Sequence, residues 1–172
     1  MRTTIGLTAI LALSACASNG PAPSTTGYPS AEEAQILAVM DAYMHEISAN
    51  DLEAMKLRQT PEGVTYRHRL NPDGTWDVRA RSNMEWVAPK MATEQVYRER
   101  YWSPTVLIRG PMALVWAPYE FQIDGKISHC GIDAFSFSRI GSEWKVSNSM
   151  WTVEPHACDE LRPTDASEIR PR

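Results

Sequence analysis

The stretch ALVWAPYEFQIDGKISHCGIDAFSFSRIGSEWKVSNSMWTV, from Ala113 to Val153, reads as three consecutive β-strands joined by two tight turns. Asp124-Gly125 favours a two-residue type I′ hairpin, because both central positions of that turn need positive φ. Such a loop sets Ile123 opposite Lys126. Counting outward then places Glu120 opposite His129, Trp116 opposite Asp133 and Leu114 opposite Phe135. A second turn near Gly141-Ser142 sets Phe137 opposite Val146, Phe135 opposite Asn148 and Asp133 opposite Met150. The predicted inner face carries Leu114, Trp116, Phe135, Phe137, Trp144, Val146 and Met150, with Glu120, His129, Asp133 and Asn148 set among them. A greasy wall with few polar groups has the character of a binding pocket. The reverse face holds Val115, Ala117, Tyr119, Phe121, Cys130 and Ile132 before it turns polar. It is either solvent-exposed or in contact, at its apolar end, with a second subunit.

Upstream, Ser30 and Glu33 have capping-box spacing, and Ile36, Val39, Met40, Tyr43 and Ile47 recur at helical intervals, which predicts a helix from about Ala31 to Ala49. Asn50-Asp51 ends it, and a short helical turn follows from Leu52 to Leu57. Val64, Tyr66, His68 and Leu70 alternate with Thr65, Arg67 and Arg69; Asn71-Pro72-Asp73-Gly74 then turns the chain and Thr75 to Arg79 returns, a hairpin. Ser82 with Glu85 again has capping-box spacing and predicts a short helix from Asn83 to Ala88 that carries Trp86. Strands near Thr93 to Tyr101 and from Thr105 to Ile108 complete the set. Helices followed by a curved antiparallel sheet make an α+β arrangement.

The first residues have the form of an export signal: Arg2, an apolar run from Ile5 to Leu13, then Leu13-Ser14-Ala15-Cys16. The run is too short to span a bilayer. The last four of these residues resemble the lipobox of bacterial lipoproteins, in which the cysteine becomes the acylated first residue of the mature chain. That resemblance implies a signal peptide over residues 1–15 and a lipid-anchored protein of the cell envelope, on the periplasmic side of the outer membrane. Residues 16–29 are small and polar and read as a flexible tether. The domain spans residues 30–156, roughly 130 residues, enough for one core. The polar, proline-containing segment 157–172 is expected to be disordered.

With 17 basic and 21 acidic side chains the formal charge is −4, and no basic stripe interleaved with aromatics is present, which argues against nucleic acid as a partner. Cys130 and Cys158 remain once Cys16 is acylated. In an oxidising compartment they are a candidate disulfide, the alternative being a buried thiol with Cys158 free in the tail. Those cysteines and the scattered His45, His68, His129 and His156 match no metal-ligand spacing. No glycine-rich phosphate loop follows a strand, so neither metal nor cofactor is expected.

The order of long helix, short helix, hairpin, helix and long strands, together with Ala113–Phe121, Asp124-Gly125, His129–Phe135 and Trp144-Lys-Val146, resembles the nuclear-transport-factor-2-like superfamily, especially its SnoaL-like and lumazine-binding-type branches. The resemblance implies a conical barrel of N-terminal helices packed on a strongly curved, mainly antiparallel β-sheet, with a deep cavity and frequent dimerisation. Its members include isomerases, dehydratases, cyclases, epoxide hydrolases and non-catalytic binders, so fold alone does not select a function.

Three polar groups are candidates for chemistry. His129 beside Glu120 could be a base charged by a carboxylate, or half of a cross-strand surface pair. Asp133, flanked by Trp116 and Met150, could have a raised pKa suited to proton transfer, or could be satisfied by Asn148, Tyr43 or a backbone group of the helices. His129 and Asp133 are about 13 Å apart along one strand and cannot be a dyad. Tyr43, Trp86, Trp116, His129, Asp133 and Asn148 are the expected ligand-binding set. The leading reading is a cavity that binds a small, largely apolar molecule. The alternatives are a cofactor-independent acid-base enzyme using Asp133 with His129 or Glu120, and an envelope interaction module that dimerises through the sheet.

Overall fold

A computed structural model of the chain describes residues 30–87 and 94–171. Residues 1–29, where the signal, the lipobox with Cys16 and the tether are expected, lie outside the described residues, as do Ala88 and Thr93. Helix α1 spans Ala31–Ala49, opened by the Ser30/Glu33 capping box and closed by Asn50 in the left-handed region at φ 54°. Asp51 caps α2, Leu52–Arg58, through a bond from Ala54 N. Strands β1, Val64–Leu70, and β2, Trp76–Ser82, form the hairpin, and Ser82 and Glu85 box the start of α3, Asn83–Trp86. The chain continues through β3, Tyr97–Tyr101; β4, Thr105–Arg109; β5, Met112–Ile123; β6, Lys126–Ile140; β7, Glu143–Val153; and a short helix α4, Cys158–Leu161.

The seven strands make one sheet in the order β2-β1-β7-β6-β5-β3, with β4 also paired to β5. Only the β1–β7 pairing is parallel among these ladders. Ile36, Leu37, Met40, Tyr43 and Met44 of α1 bury themselves against Val115, Ala117, Phe135, Phe137 and Val146 of the sheet, so helix and sheet share one core. This is the α+β architecture expected.

The register differs from the sequence reading in two places. The Asp124-Gly125 turn does set Ile123 opposite Lys126, but Gln122 pairs with Ile127 and Phe121 with His129, leaving Ser128 as an extra residue. Glu120 therefore lies opposite Cys130, Trp116 opposite Ala134 and Leu114 opposite Ser136. A second bulge leaves Ser147 unpaired between Val146 and Asn148, so Asp133 faces Trp151 and Phe135 faces Ser149. A strand's side chains alternate, so each inserted residue exchanges the faces of the residues beyond it. On β5, Val115, Ala117 and Tyr119 point inward and Leu114 and Trp116 outward; on β7, Ser149, Trp151 and Val153 point inward and Asn148 and Met150 outward. Trp116 is 56% exposed. The Ser147 carbonyl accepts from Asn83 Nδ2 at 3.1 Å and presses against Gly63, where a Cβ would sit 1.6 Å from the oxygen. Only glycine fits there.

The segment of residues 157–171, expected to be disordered, is ordered. It straps the outer face of the sheet. A disulfide joins Cys130 to Cys158, the Trp102 indole donates to Leu161 O at 2.7 Å, and Tyr101 and Arg170 exchange backbone hydrogen bonds. Arg170 pairs with Asp41 of α1, and Ile169 is buried. Polar composition alone misjudged it, because a covalent link and ion pairs supply what its few apolar side chains cannot.

Candidate functional site

A cavity of about 400 Å³ opens between α1, α2, α3 and the inner face of the sheet. Tyr43 reaches it from α1, edge-on to Phe135 at 5.8 Å, and Trp86 from α3, edge-on to Trp151 at 5.1 Å. His129 is stacked on Phe121 at 5.4 Å. Arg67 and Arg69 of β1, Tyr97 and Glu99 of β3, Tyr119 of β5 and Asp133 of β6 also line it.

Asp133 is 1% and Glu99 8% exposed, and their carboxyl groups hydrogen-bond to each other. No amide, hydroxyl or guanidinium donor reaches the buried Asp133 Oδ2. Two carboxylates cannot donate, so the contact requires a proton. Burial drives Glu99 up to about 8, and burial together with the Glu99 charge drives Asp133 well above the ordinary carboxyl range. The two titrate as a unit and hold at least one proton at neutral pH. Glu99 is positioned by its backbone N–H, which donates to Ser48 Oγ at 3.0 Å, fixing β3 to the end of α1.

Neither nearby tyrosine discharges the pair. Tyr43 OH donates to Gln59 Oε1 at 3.0 Å, and Tyr119 OH donates to Thr152 O at 2.7 Å. Burial raises both phenols, so both keep their protons. Tyr119 lies opposite Gly131 and reaches β7 across it; a Cβ on Gly131 would stand 2.2 Å from the same Thr152 oxygen. Gln59, in turn, donates to Asn83 O at 2.9 Å, and Thr65 bonds to Asn83 Oδ1 and Ser149 Oγ, each at 3.1 Å. These bonds satisfy a buried polar floor beneath the aromatic walls.

Of the residues expected from sequence, Tyr43, Trp86, His129 and Asp133 line the cavity. Trp116 and Asn148 do not, because the bulges turn them to the outer face; Asn148 accepts from Val64 N and donates to Ser136 Oγ there. Glu120 is also on the outer face, fully buried beneath the strap, where Arg100 and Arg162 pair with it and Gln122 donates to it. It takes no part in the cavity. His129 is not charged by a carboxylate; burial and the Arg69 charge lower it to about 4, so the imidazole is neutral at pH 7. The flanks of Asp133 are Ala117 and Trp151, not Trp116 and Met150.

Glu99 was not singled out from sequence, although Tyr97, Glu99 and Tyr101 alternate with Arg98 and Arg100, a pattern that sets one acid between two aromatics on a single face. Among the described residues no cluster of His, Cys, Asp and Glu is arranged to hold a metal ion, and no helix is long and apolar enough to cross a membrane.

An NTF2-like protein from Cytophaga hutchinsonii superposes with a TM-score of 0.58 at 13% identity, covering 73% of this chain and 99% of that one. The chain has the nuclear-transport-factor-2-like fold. The beta subunit of a proposed aromatic-ring-hydroxylating dioxygenase from Novosphingobium aromaticivorans gives a TM-score of 0.59 at 11% identity over 72% of this chain and 89% of that one. A proposed scytalone dehydratase from the same organism gives 0.56 at 9% identity, covering 71% and 83%. No family model and no curated protein sequence matches the chain. At these identities the nuclear-transport-factor-2-like fold is what is shared, and the chemistry must be read from the cavity.

Proposed function

We propose that the cavity binds a small, largely apolar molecule and that the Asp133–Glu99 pair moves a proton on it, without a cofactor, in an isomerisation or dehydration. The observation that carries this reading is the buried, proton-sharing carboxyl pair in an apolar cavity, a costly arrangement for folding alone. The ionised member accepts a proton from carbon while the protonated member donates to a developing or departing oxygen; the pair ends with the same number of protons, its roles exchanged. Burial raises both groups, Glu99 to about 8, so the pair can hold and pass a proton. A dehydratase name among the structural neighbours is compatible with this but supplies no residue. Glu99 replaces His129 and Glu120 as the partner of Asp133.

The test is deuterium exchange and water elimination followed by NMR on a panel of small enolisable ketones and β-hydroxy ketones in D₂O. Exchange by the wild type that Asp133→Asn and Glu99→Gln each abolish is the expected result. Exchange that survives both substitutions, or none across the panel, defeats the reading.

We further propose that the protein is exported and lipid-anchored through Cys16 in the cell envelope. Leu13-Ser14-Ala15-Cys16 supports this, and so does the disulfide, which suits an oxidising compartment. A homodimer through the outer sheet face is supported by Tyr66, Met150 and Trp116, which share one cross-strand row there and are 39%, 45% and 56% exposed.

A further inference from the structure

Strand β1 turns the face opposite to the one its composition favours toward the cavity. Tyr66 is outward, while Arg67, half-buried, and Arg69, exposed, line the mouth of the cavity. Arginine on the inward face of a sheet is unfavourable unless something neutralises it. Asp77 is the acid nearest in register, directly opposite Arg69, yet its carboxylate accepts from Arg67 Nη2 at 2.9 Å and from Arg79 Nε at 3.0 Å. Arg69 forms no ion pair among the described residues, and Arg67 Nε is buried without a hydrogen-bond partner. The one carboxylate therefore serves two guanidinium groups, Arg67 and Arg79, and leaves Arg69 at the cavity without an acid. Neutral His129 lies within range of the Arg69 charge and adds a ring N–H or a lone pair but no anion.

We infer that Arg67 and Arg69 are an anion subsite at the mouth of the cavity and that the ligand is an amphipathic carboxylate, its charged end on these arginines and its apolar body directed at the Glu99–Asp133 pair. The register gives the span. Arg67 pairs with Trp151 and Trp151 with Asp133, so the three lie in one row across the sheet, and the outer two are roughly 10 Å apart at ordinary strand spacing. A bicyclic aryl carboxylate bridges that distance, and Trp86 and Trp151 supply flat walls for its rings. A guanidinium fork matches a carboxylate in two hydrogen bonds, and Arg67 Nε would gain the acceptor it lacks.

The inference rests on the cavity reading but not on turnover, so it is tested by binding alone. Affinities of 2-naphthoate and of the isosteric 2-naphthamide are measured by calorimetry and by quenching of tryptophan fluorescence, on the wild type, on Arg69→Gln and on Asp133→Asn. The wild type is expected to bind the carboxylate about tenfold more tightly than the amide, the worth of one charge-assisted pair. Arg69→Gln, at an exposed position that leaves the core untouched, lowers the preference several-fold, Arg67 alone holding what remains. Asp133→Asn keeps the preference even though it abolishes proton transfer, which separates this inference from the catalytic one. Equal binding of acid and amide by the wild type, no binding of the acid, or an unchanged preference in Arg69→Gln overturns it.

Discussion

Replacing Glu99 by Gln should make the protein more stable at alkaline pH, and the size of the gain comes from the carboxyl pair. A buried acid with a raised pKa binds more protons in the folded than in the unfolded state, so its burial costs more as pH rises. Glu99 ionises near 4.5 when unfolded and near 8 when folded, so its contribution is lost progressively across that interval. His129 works in the opposite sense: its folded value near 4 lies below the ordinary 6.5, so it adds stability as pH rises to 6.5 and nothing further above. Between pH 6.5 and 8 the carboxyl term stands alone. One group there is worth about 1.4 kcal/mol per pH unit, or ~2 kcal/mol over the window. Gln keeps the size and removes that titration, while Asp133 stays raised by its own burial. Urea unfolding at half-unit steps of pH, with the disulfide intact, should show the wild type losing ~2 kcal/mol more than Glu99→Gln across the window. Parallel curves would mean that Glu99 does not titrate in that window.

Gly131→Ala places a Cβ 2.2 Å from Thr152 O, so it should shift the urea midpoint by the equivalent of about 3 kcal/mol, and an unshifted midpoint would show that the strands can part there. Cys158→Ala opens a loop of 28 residues and should cost ~3–4 kcal/mol while freeing the strap to limited proteolysis after Val153; an equally stable and resistant variant would mean the ion pairs alone hold it. His129 should titrate near 4 by imidazole NMR and move upward in Arg69→Gln; an ordinary value in the wild type would place the ring in solvent.

Much of the fold was legible because its signals are local. Ser30 with Glu33 and Ser82 with Glu85 announce helix starts, and Asp124-Gly125 announces a hairpin, each through a side chain that satisfies its own neighbourhood. The site was legible only in part. Asp133 and His129 were found on the correct strand and face, but their partners across the sheet were not, since the bulges sit at Ser128 and Ser147, residues with no local signature of an inserted position. One residue of slip on each side moved Trp116, Glu120, Asn148 and Met150 to the other face. Glu99 and Asp133 lie on strands separated by β5 and are not register partners, so their meeting is not written in either strand's sequence. On β1 the alternation was read but not which face meets the cavity, and it is the arginine face. Glu120, an acid that alternation set facing His129, is instead held by Arg100 and, from the strap, Arg162.

Asp133 and Glu99 should retain a proton between them at neutral pH. Carboxyl ¹³C NMR on protein labelled at Asp and Glu side chains, titrated from pH 4 to 10 and assigned with Asp133→Asn and Glu99→Gln, reads this directly. At least one of the two resonances should sit at its protonated position at pH 7 and move only near 8 or above. Both resonances moving to the ionised position near the ordinary carboxylate range would contradict it.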